Sequence, residues 1–128
     1  MKLVKLPDTE LEIMKVIWKE GSPISTSQIK AVLDEMRPWN VSALQTLLNR
    51  LIDRNFLKTF KDGKNKCYES LVEEADYIAF ENKSFLERMN HSSITKLVAS
   101  LYESRNITDE DLEELAQFIE KNTGGTDD

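Results

Sequence analysis

The stretch "NVSALQTLLNRLID", residues 40–53, constrains the fold more than any other part of the chain. Val41, Leu44, Leu47, Leu48, Leu51 and Ile52 recur at spacings of three and four, so one side of a helix is apolar throughout and has to be covered. Pro38 disfavours helical geometry at Arg37, and Asn40 is a good N-cap, which together fix where the helix starts. The opposite face reads Ser42, Gln45, Thr46, Asn49, Arg50 and Asp53. A merely solvated face is usually filled with Glu and Lys. Short or planar hydrogen-bonding groups instead suit the donors and acceptors on base edges in the major groove, where Arg pairs with guanine. Ser42, Gln45, Thr46 and Arg50 are therefore candidate base contacts and Asn49 a candidate backbone contact. An ordinary polar surface is the competing reading.

What flanks this helix narrows the fold class. Upstream, Thr9 and Glu12 have capping-box spacing, with Leu11, Met14, Ile17 and Trp18 on one face, and Gly21 and Pro23 close that first helix. Ser25 and Gln28 form a second box, Ile24 and Ile29 occupy staple positions, and Ile29, Val32, Leu33 and Met36 continue a buried stripe. Downstream, the β-compatible runs "FLKTF" and "KCYES" surround "KDGKN", whose Asp-Gly is a strong hairpin signal. Helix, helix, helix, hairpin is the order of a winged helix-turn-helix.

Charge supports that placement. The chain carries a formal net charge of −6, yet residues 1–70 hold twelve Lys or Arg against nine Asp or Glu, and residues 71–128 hold five against fourteen. Arg54, Lys58, Lys61, Lys64 and Lys66 follow the polar helix and cross the hairpin, where a wing would straddle a phosphate backbone. Arg54, Lys61, Lys64 and Lys66 are the candidate backbone contacts. A solvated charge run is the alternative.

Beyond Ser70 the chain is helical and acidic. One segment from about 73 to 89 carries Tyr77, Ile78, Phe80, Phe85 and Met89; a second, 93–104, carries Ile94, Leu97, Val98 and Leu101 at clean helical spacing. A last helix begins at Thr108, with Asp111 in the box position, Ile107 and Leu112 as a staple pair, and Leu115, Phe118 and Ile119 on its apolar face. So small a unit struggles to bury enough surface alone, and a second copy under two-fold symmetry is the simplest cover. Tyr77, Phe80, Phe85, Ile94, Leu97, Val98, Leu101, Leu112, Leu115 and Ile119 are the candidate dimer contacts.

The expected organisation is mainly α with a small β-hairpin: a winged helix-turn-helix over 1–71, a three-helix dimerisation domain over 72–122 and a disordered tail over 123–128. With 128 residues, a third domain is excluded. No apolar run reaches the roughly 18 residues of a membrane span, and a cytoplasmic protein is expected. Cys67 is the single cysteine and His91 the single histidine, so neither a thiolate cluster nor a metal site is expected. "DEDLEE" lacks the glycine and alternating oxygens of a calcium loop and suits a helix start. No nucleophile, base and orienting group occur in a recognisable pattern, so neither catalysis nor a cofactor is expected.

"PDTELEIMKVIWKEG", "LQTLLNRLIDRNFL", "KDGKNKCYES" and "DYIAFENKSFLERM" resemble the penicillinase-repressor family of bacterial winged-helix regulators, over residues 5 to about 121. The family includes the β-lactamase and methicillin-resistance repressors and a copper-responsive branch. The resemblance implies a homodimer that binds inverted-repeat operator DNA and blocks transcription, classically of resistance genes. It also implies derepression through a membrane sensor-protease pathway that leads to cleavage in the dimerisation domain, at a bond matching Ser100–Leu101. Better-known members have Asn-Phe there. Thr46 and Arg50 match the family's reading helix, whereas Ser42 and Ala43 replace a longer basic residue and a threonine. Ala43 can still touch a thymine methyl, and Trp39 is a further candidate backbone contact, with a mixed role of packing against sugar-phosphate and filling the core. The cysteine-rich motif of the copper branch is missing. The rival classes are a winged-helix protein-interaction module and a regulator that answers a different signal.

Overall fold

The computed structural model describes residues 2–89 and 93–124. In chain order the elements are α1 (Asp8–Glu20), β1 (Ile24–Ser25), α2 (Thr26–Asp34), α3 (Val41–Asp53), β2 (Leu57–Asp62), β3 (Asn65–Ser70), α4 (Glu74–Arg88), α5 (Ile94–Glu103) and α6 (Asp109–Thr123). The class is mainly α with a small antiparallel sheet, and the first seventy residues form a winged helix-turn-helix. The chain divides into two compact units, residues 1–84 and 85–128, so α4 belongs partly to each.

In the first unit, the three amphipathic helices close one core. Ile13, Met14, Ile29, Leu44, Leu48 and Leu51 are fully buried, and Leu11, Trp18, Leu47 and Ile52 pack against them. A buried leucine contributes about 1.5–3 kcal/mol over an exposed one, so this stripe dominates the unit's stability. Both ends of α3 are specified locally. Asn40 Oδ1 accepts the Ala43 N–H at 3.1 Å. At the other end Asn55 takes a left-handed φ of 65°, Phe56 N–H donates to Leu51 O at 2.9 Å and Asn55 N–H to Ile52 O at 3.0 Å, the Schellman pattern. The Ser25–Gln28 capping box forms at α2 as expected.

Three expectations are corrected. Thr9 and Glu12 form no capping box: α1 starts at Asp8, behind Pro7 and without a side-chain cap, and Glu12 instead accepts from both Arg37 guanidinium nitrogens at 2.9 Å. Arg37 holds the Glu12 carboxyl below the usual carboxylate range. Met36 is 82 % exposed because α2 stops at Asp34, and Val41, in the first turn of α3, is 57 % exposed.

The hairpin pairs Leu57 with Ser70 through Asp62 with Asn65, leaving Gly63 and Lys64 as the turn. Gly63 has a φ of 65°, the reason a glycine sits at the first turn position. β1, too short to show periodicity in the sequence, adds a third strand, with Ile24 opposite Tyr68 and Ser25 opposite Cys67. The first part of α4 is tied to the N-terminal segment and α1 by Tyr77, which is 2 % exposed, accepts the Leu6 N–H at 2.8 Å and has its ring 5.8 Å from that of Trp18. Burial first, and Glu81 second, push the Tyr77 phenol up to about 12.

The second unit is built differently. Ser93 caps α5 through the Lys96 N–H, and Thr108 with Asp111 forms the expected box at α6. Yet neither α5 nor α6 buries a residue. Ile94, Phe118 and Ile119 are 55 %, 63 % and 50 % exposed. α6 runs through Thr123, the first residue of the expected tail; residues 125–128, and His91, lie outside the described residues. Among the described residues no helix is long and apolar enough to cross a membrane.

Candidate nucleic-acid interface

The turn between α2 and α3 is held by one carboxylate. Asp34 Oδ2 accepts Lys30 Nζ at 2.6 Å and Oδ1 accepts the Trp39 N–H at 2.9 Å. The Lys30 bond first, and the Trp39 bond second, hold the Asp34 carboxyl below its usual range. α3 is thereby fixed at its start, and its apolar side is consumed by the core, so the opposite face is set.

On that face Ser42, Ala43, Thr46, Asn49 and Arg50 are exposed and Gln45 is half-buried. Thr46 Oγ1 donates to Ser42 O at 3.0 Å, which commits the hydroxyl proton to the helix and leaves its methyl and lone pair outward. Gln45 Nε2 donates to Asn49 Oδ1 at 3.1 Å and lies 3.1 Å from the Tyr68 hydroxyl of β3. Arg50 has no ion pair among the described residues, although Arg54, at the C-terminal end of the same helix, has one. A free guanidinium beside the Ser42 hydroxyl, the Asn49 amide N–H groups and the lone pairs left on Gln45 and Thr46 can make hydrogen bonds to base edges.

The candidate phosphate contacts separate into two kinds. Lys61 and Lys64 are exposed and Lys66 half-buried at the tip of the hairpin. Lys61 and Lys66 stand directly opposite each other in the β2–β3 register. Like charges in that relation repel, and an anion between them removes the penalty. Arg54 is different. Its Nη1 lies 2.7 Å from Glu10 Oε1, whose side chain is 1 % exposed. The guanidinium pairs with a buried carboxylate, while the Arg54 side chain stays 35 % exposed.

Trp39 is half-buried. Its ring packs against the core, the Arg37 guanidinium carbon sits 4.9 Å from its ring centroid, and Nε1 is buried without a hydrogen-bond partner among the described residues. That N–H does not reach the surface to meet a phosphate.

Sequence reasoning missed a neighbouring concavity of about 250 Å³ lined by Ser25, Thr26, Ser27, Lys30, Val41, Lys64, Asn65 and Lys66. It joins the N-terminus of α2 to the wing tip, a combination favourable to anions. The lysines of the hairpin were visible in the sequence; that β1 pairing brings the start of α2 beside them was not.

Of the expected dimer contacts, Tyr77 is spent inside its own unit and Phe80 packs against the same core. Phe85 is 38 % exposed on the later part of α4. Ile94, Val98, Leu112, Leu115 and Ile119, joined by Tyr102 and Phe118, line an apolar groove of about 530 Å³ between α5 and α6. Leu97 and Leu101 are half-buried. The Ser100–Leu101 bond lies in regular helix: Ser100 O accepts the Ser104 N–H at 3.0 Å and Leu101 O accepts the Asn106 N–H at 2.8 Å.

Comparison with known proteins places this geometry. The family model described as penicillinase repressor matches residues 6–121. The penicillinase repressor of Bacillus licheniformis is 34 % identical over 120 residues, 94 % of this chain and 93 % of that protein. The methicillin resistance regulatory protein MecI of Staphylococcus aureus is 28 % identical over 94 % of this chain and 97 % of its own length. Among solved structures, the monomeric form of Bacillus licheniformis BlaI in complex with the blaP half-operator is 38 % identical, with a TM-score of 0.50 over 59 % of this chain and 92 % of that one.

Proposed function

Because the chain belongs to the penicillinase repressor family and is a transcriptional repressor, we propose that it acts as a homodimer on inverted-repeat operator DNA. Each protomer lays α3 in a major groove, with Ser42, Ala43, Gln45, Thr46 and Arg50 toward the bases. The observation that carries this reading is the exposed polar face of α3, with Arg50 unpaired, beside the Lys61–Lys66 pair. The BlaI complex with a half-operator supports it.

The wing supplies the phosphate contacts through Lys61, Lys64 and Lys66, with Asn49 alongside, while Arg54 and Trp39 hold the domain's own structure. Dimerisation uses the open apolar surface of α5 and α6, where Leu115, Phe118 and Ile119 of one protomer meet their equivalents in the other. A monomer has one reading head, so opening this interface removes the gain from simultaneous engagement.

The controlled genes are resistance genes of the β-lactam class, in keeping with the relatives' names. Release follows cleavage at Ser100–Leu101 by a membrane sensor-protease pathway. That bond is helical, and its cleavage requires α5 to open locally.

Selection from a random-sequence duplex library, combined with sedimentation of the complex, tests the proposal. The expected result is enrichment of an inverted repeat with half-sites one helical turn or a multiple apart, bound by two protomers. Enrichment of no sequence would favour the protein-interaction reading.

A further inference from the structure

The hydroxyl of Tyr68 sits where three elements of the winged helix meet. Tyr68 lies on β3, is 0 % exposed, and has its oxygen 3.5 Å from Thr26 Oγ1 at the start of α2. On the α3 side the same oxygen lies 3.1 Å from Gln45 Nε2 and 3.4 Å from Gln45 Oε1. A glutamine side chain on a helix surface normally samples several rotamers, and ordering it costs entropy at the moment of binding. Here that ordering is in place before any ligand arrives, because a buried phenol that cannot move fixes the amide from below.

The fixed amide sets what its neighbour shows. Both Gln45 Nε2 hydrogens are committed, one toward Tyr68 and the other to Asn49 Oδ1 at 3.1 Å. Gln45 Oε1 accepts from the Tyr68 hydroxyl at 3.4 Å and keeps its second lone pair, and the exposed Asn49 keeps its Nδ2 donors uncommitted among the described residues. One acceptor beside one donor is the complement of the adenine edge in the major groove, which offers the N6 amino group and the N7 lone pair.

We propose that Tyr68 is a positioning residue for sequence reading: its hydroxyl holds Gln45 so that Gln45 and Asn49 together recognise one A·T pair in each half-site. Tyr68 touches no base. It acts through Gln45, and it ties the wing strand to the specificity of the reading helix. The inference rests on α3 being the base-reading helix.

The test is selection from a random-sequence duplex library by the full chain and by its Tyr68→Phe, Gln45→Leu and Arg50→Ala variants, followed by affinity measurements on the selected and on unselected duplexes. Tyr68→Phe keeps the buried ring, and thermal melting checks that it folds. The expected result is that Tyr68→Phe and Gln45→Leu lose preference at the same A·T pair, each by roughly tenfold, the scale of one base contact. Affinity for unselected DNA and its salt dependence stay unchanged, which a general loss of structure would not produce. In the Gln45→Leu background, adding Tyr68→Phe changes discrimination no further.

Full preference at that pair in Tyr68→Phe, with preference lost in Gln45→Leu, overturns the proposal while leaving the reading helix intact. Preference retained in Gln45→Leu but lost elsewhere in Arg50→Ala also overturns it. If neither the parent chain nor any variant enriches a sequence, the reading of α3 fails and the proposal falls with it. Should Tyr68→Phe melt below the parent, both selections are run at a temperature where each chain is folded, and preference at that A·T pair in Tyr68→Phe decides.

Discussion

Arg54 Nη1 and Glu10 Oε1 lie 2.7 Å apart, joining the end of α3 to the first turn of α1 across 44 positions of sequence. The carboxylate is buried, and this guanidinium is its one ion-pair partner among the described residues. Removing a single partner of such a pair strands the other, at a cost of about 3–5 kcal/mol. Arg54→Ala is therefore expected to lower the midpoint of urea unfolding substantially, while the protein that remains folded binds DNA with an unchanged salt slope. A reduced slope at unchanged stability would return Arg54 to the phosphate contacts.

The wing makes the opposite prediction. If each half-site engages about three phosphates, the dimer's log–log salt slope is near −5, and removing one lysine from each protomer makes it shallower by about 2. Lys64→Ala is expected to do this without changing stability. Lys66→Glu, which turns the repelling Lys61 pair into an attractive one, should stabilise the free protein by about 0.2–1 kcal/mol while weakening DNA binding. Opposite signs in one variant separate a site built for an anion from a structural hairpin.

The open surface of α5 and α6 predicts a concentration-dependent assembly. Ile119→Glu places a charge in the groove that Leu115 and Phe118 share. Sedimentation should show monomer, and affinity for a two-half-site duplex should fall toward that for a single half-site, by about 10²–10⁴-fold. Binding to one half-site should persist, because α3 is untouched.

Tyr77 fixes an alkaline limit. Its phenol titrates near 12 when folded against a reference of 10.0. Between those values the unfolded chain has released this proton and the folded chain retains it, so stability present below about pH 10 is lost as pH rises toward 12, by roughly 2–3 kcal/mol. Tyr77→Phe should remove that component of the pH dependence. It should also cost about 1–3 kcal/mol at neutral pH, because the Leu6 N–H loses its buried acceptor.

Local signals were legible in the sequence. The α2 and α6 capping boxes, the Asn40 cap, the leucine stripe and the Asp-Gly hairpin depend on residues within a few positions of one another, and all form. Thr9 and Glu12 had the spacing of a box, but Arg37, 25 residues away, provides Glu12 with a better partner. Distant partners account for the other differences. Nothing near Arg54 announces Glu10, nothing near Tyr77 announces Leu6, and nothing on α3 announces that Tyr68 stands beneath Gln45. Met36 and Val41 continued an apolar period past the point where α2 and the core end. Cations could be counted from the sequence, but which of them are committed could not.

The central claim is that the outward face of α3 reads bases, and Arg50 is its most exposed test. The decisive measurement is the ratio of affinities for the selected inverted repeat and for an unrelated duplex at one salt concentration, in the parent chain and in Arg50→Ala. The account predicts that the ratio collapses by about 10- to 100-fold per half-site while affinity for the unrelated duplex barely moves. An unchanged ratio, or an equal loss on both duplexes, would contradict it.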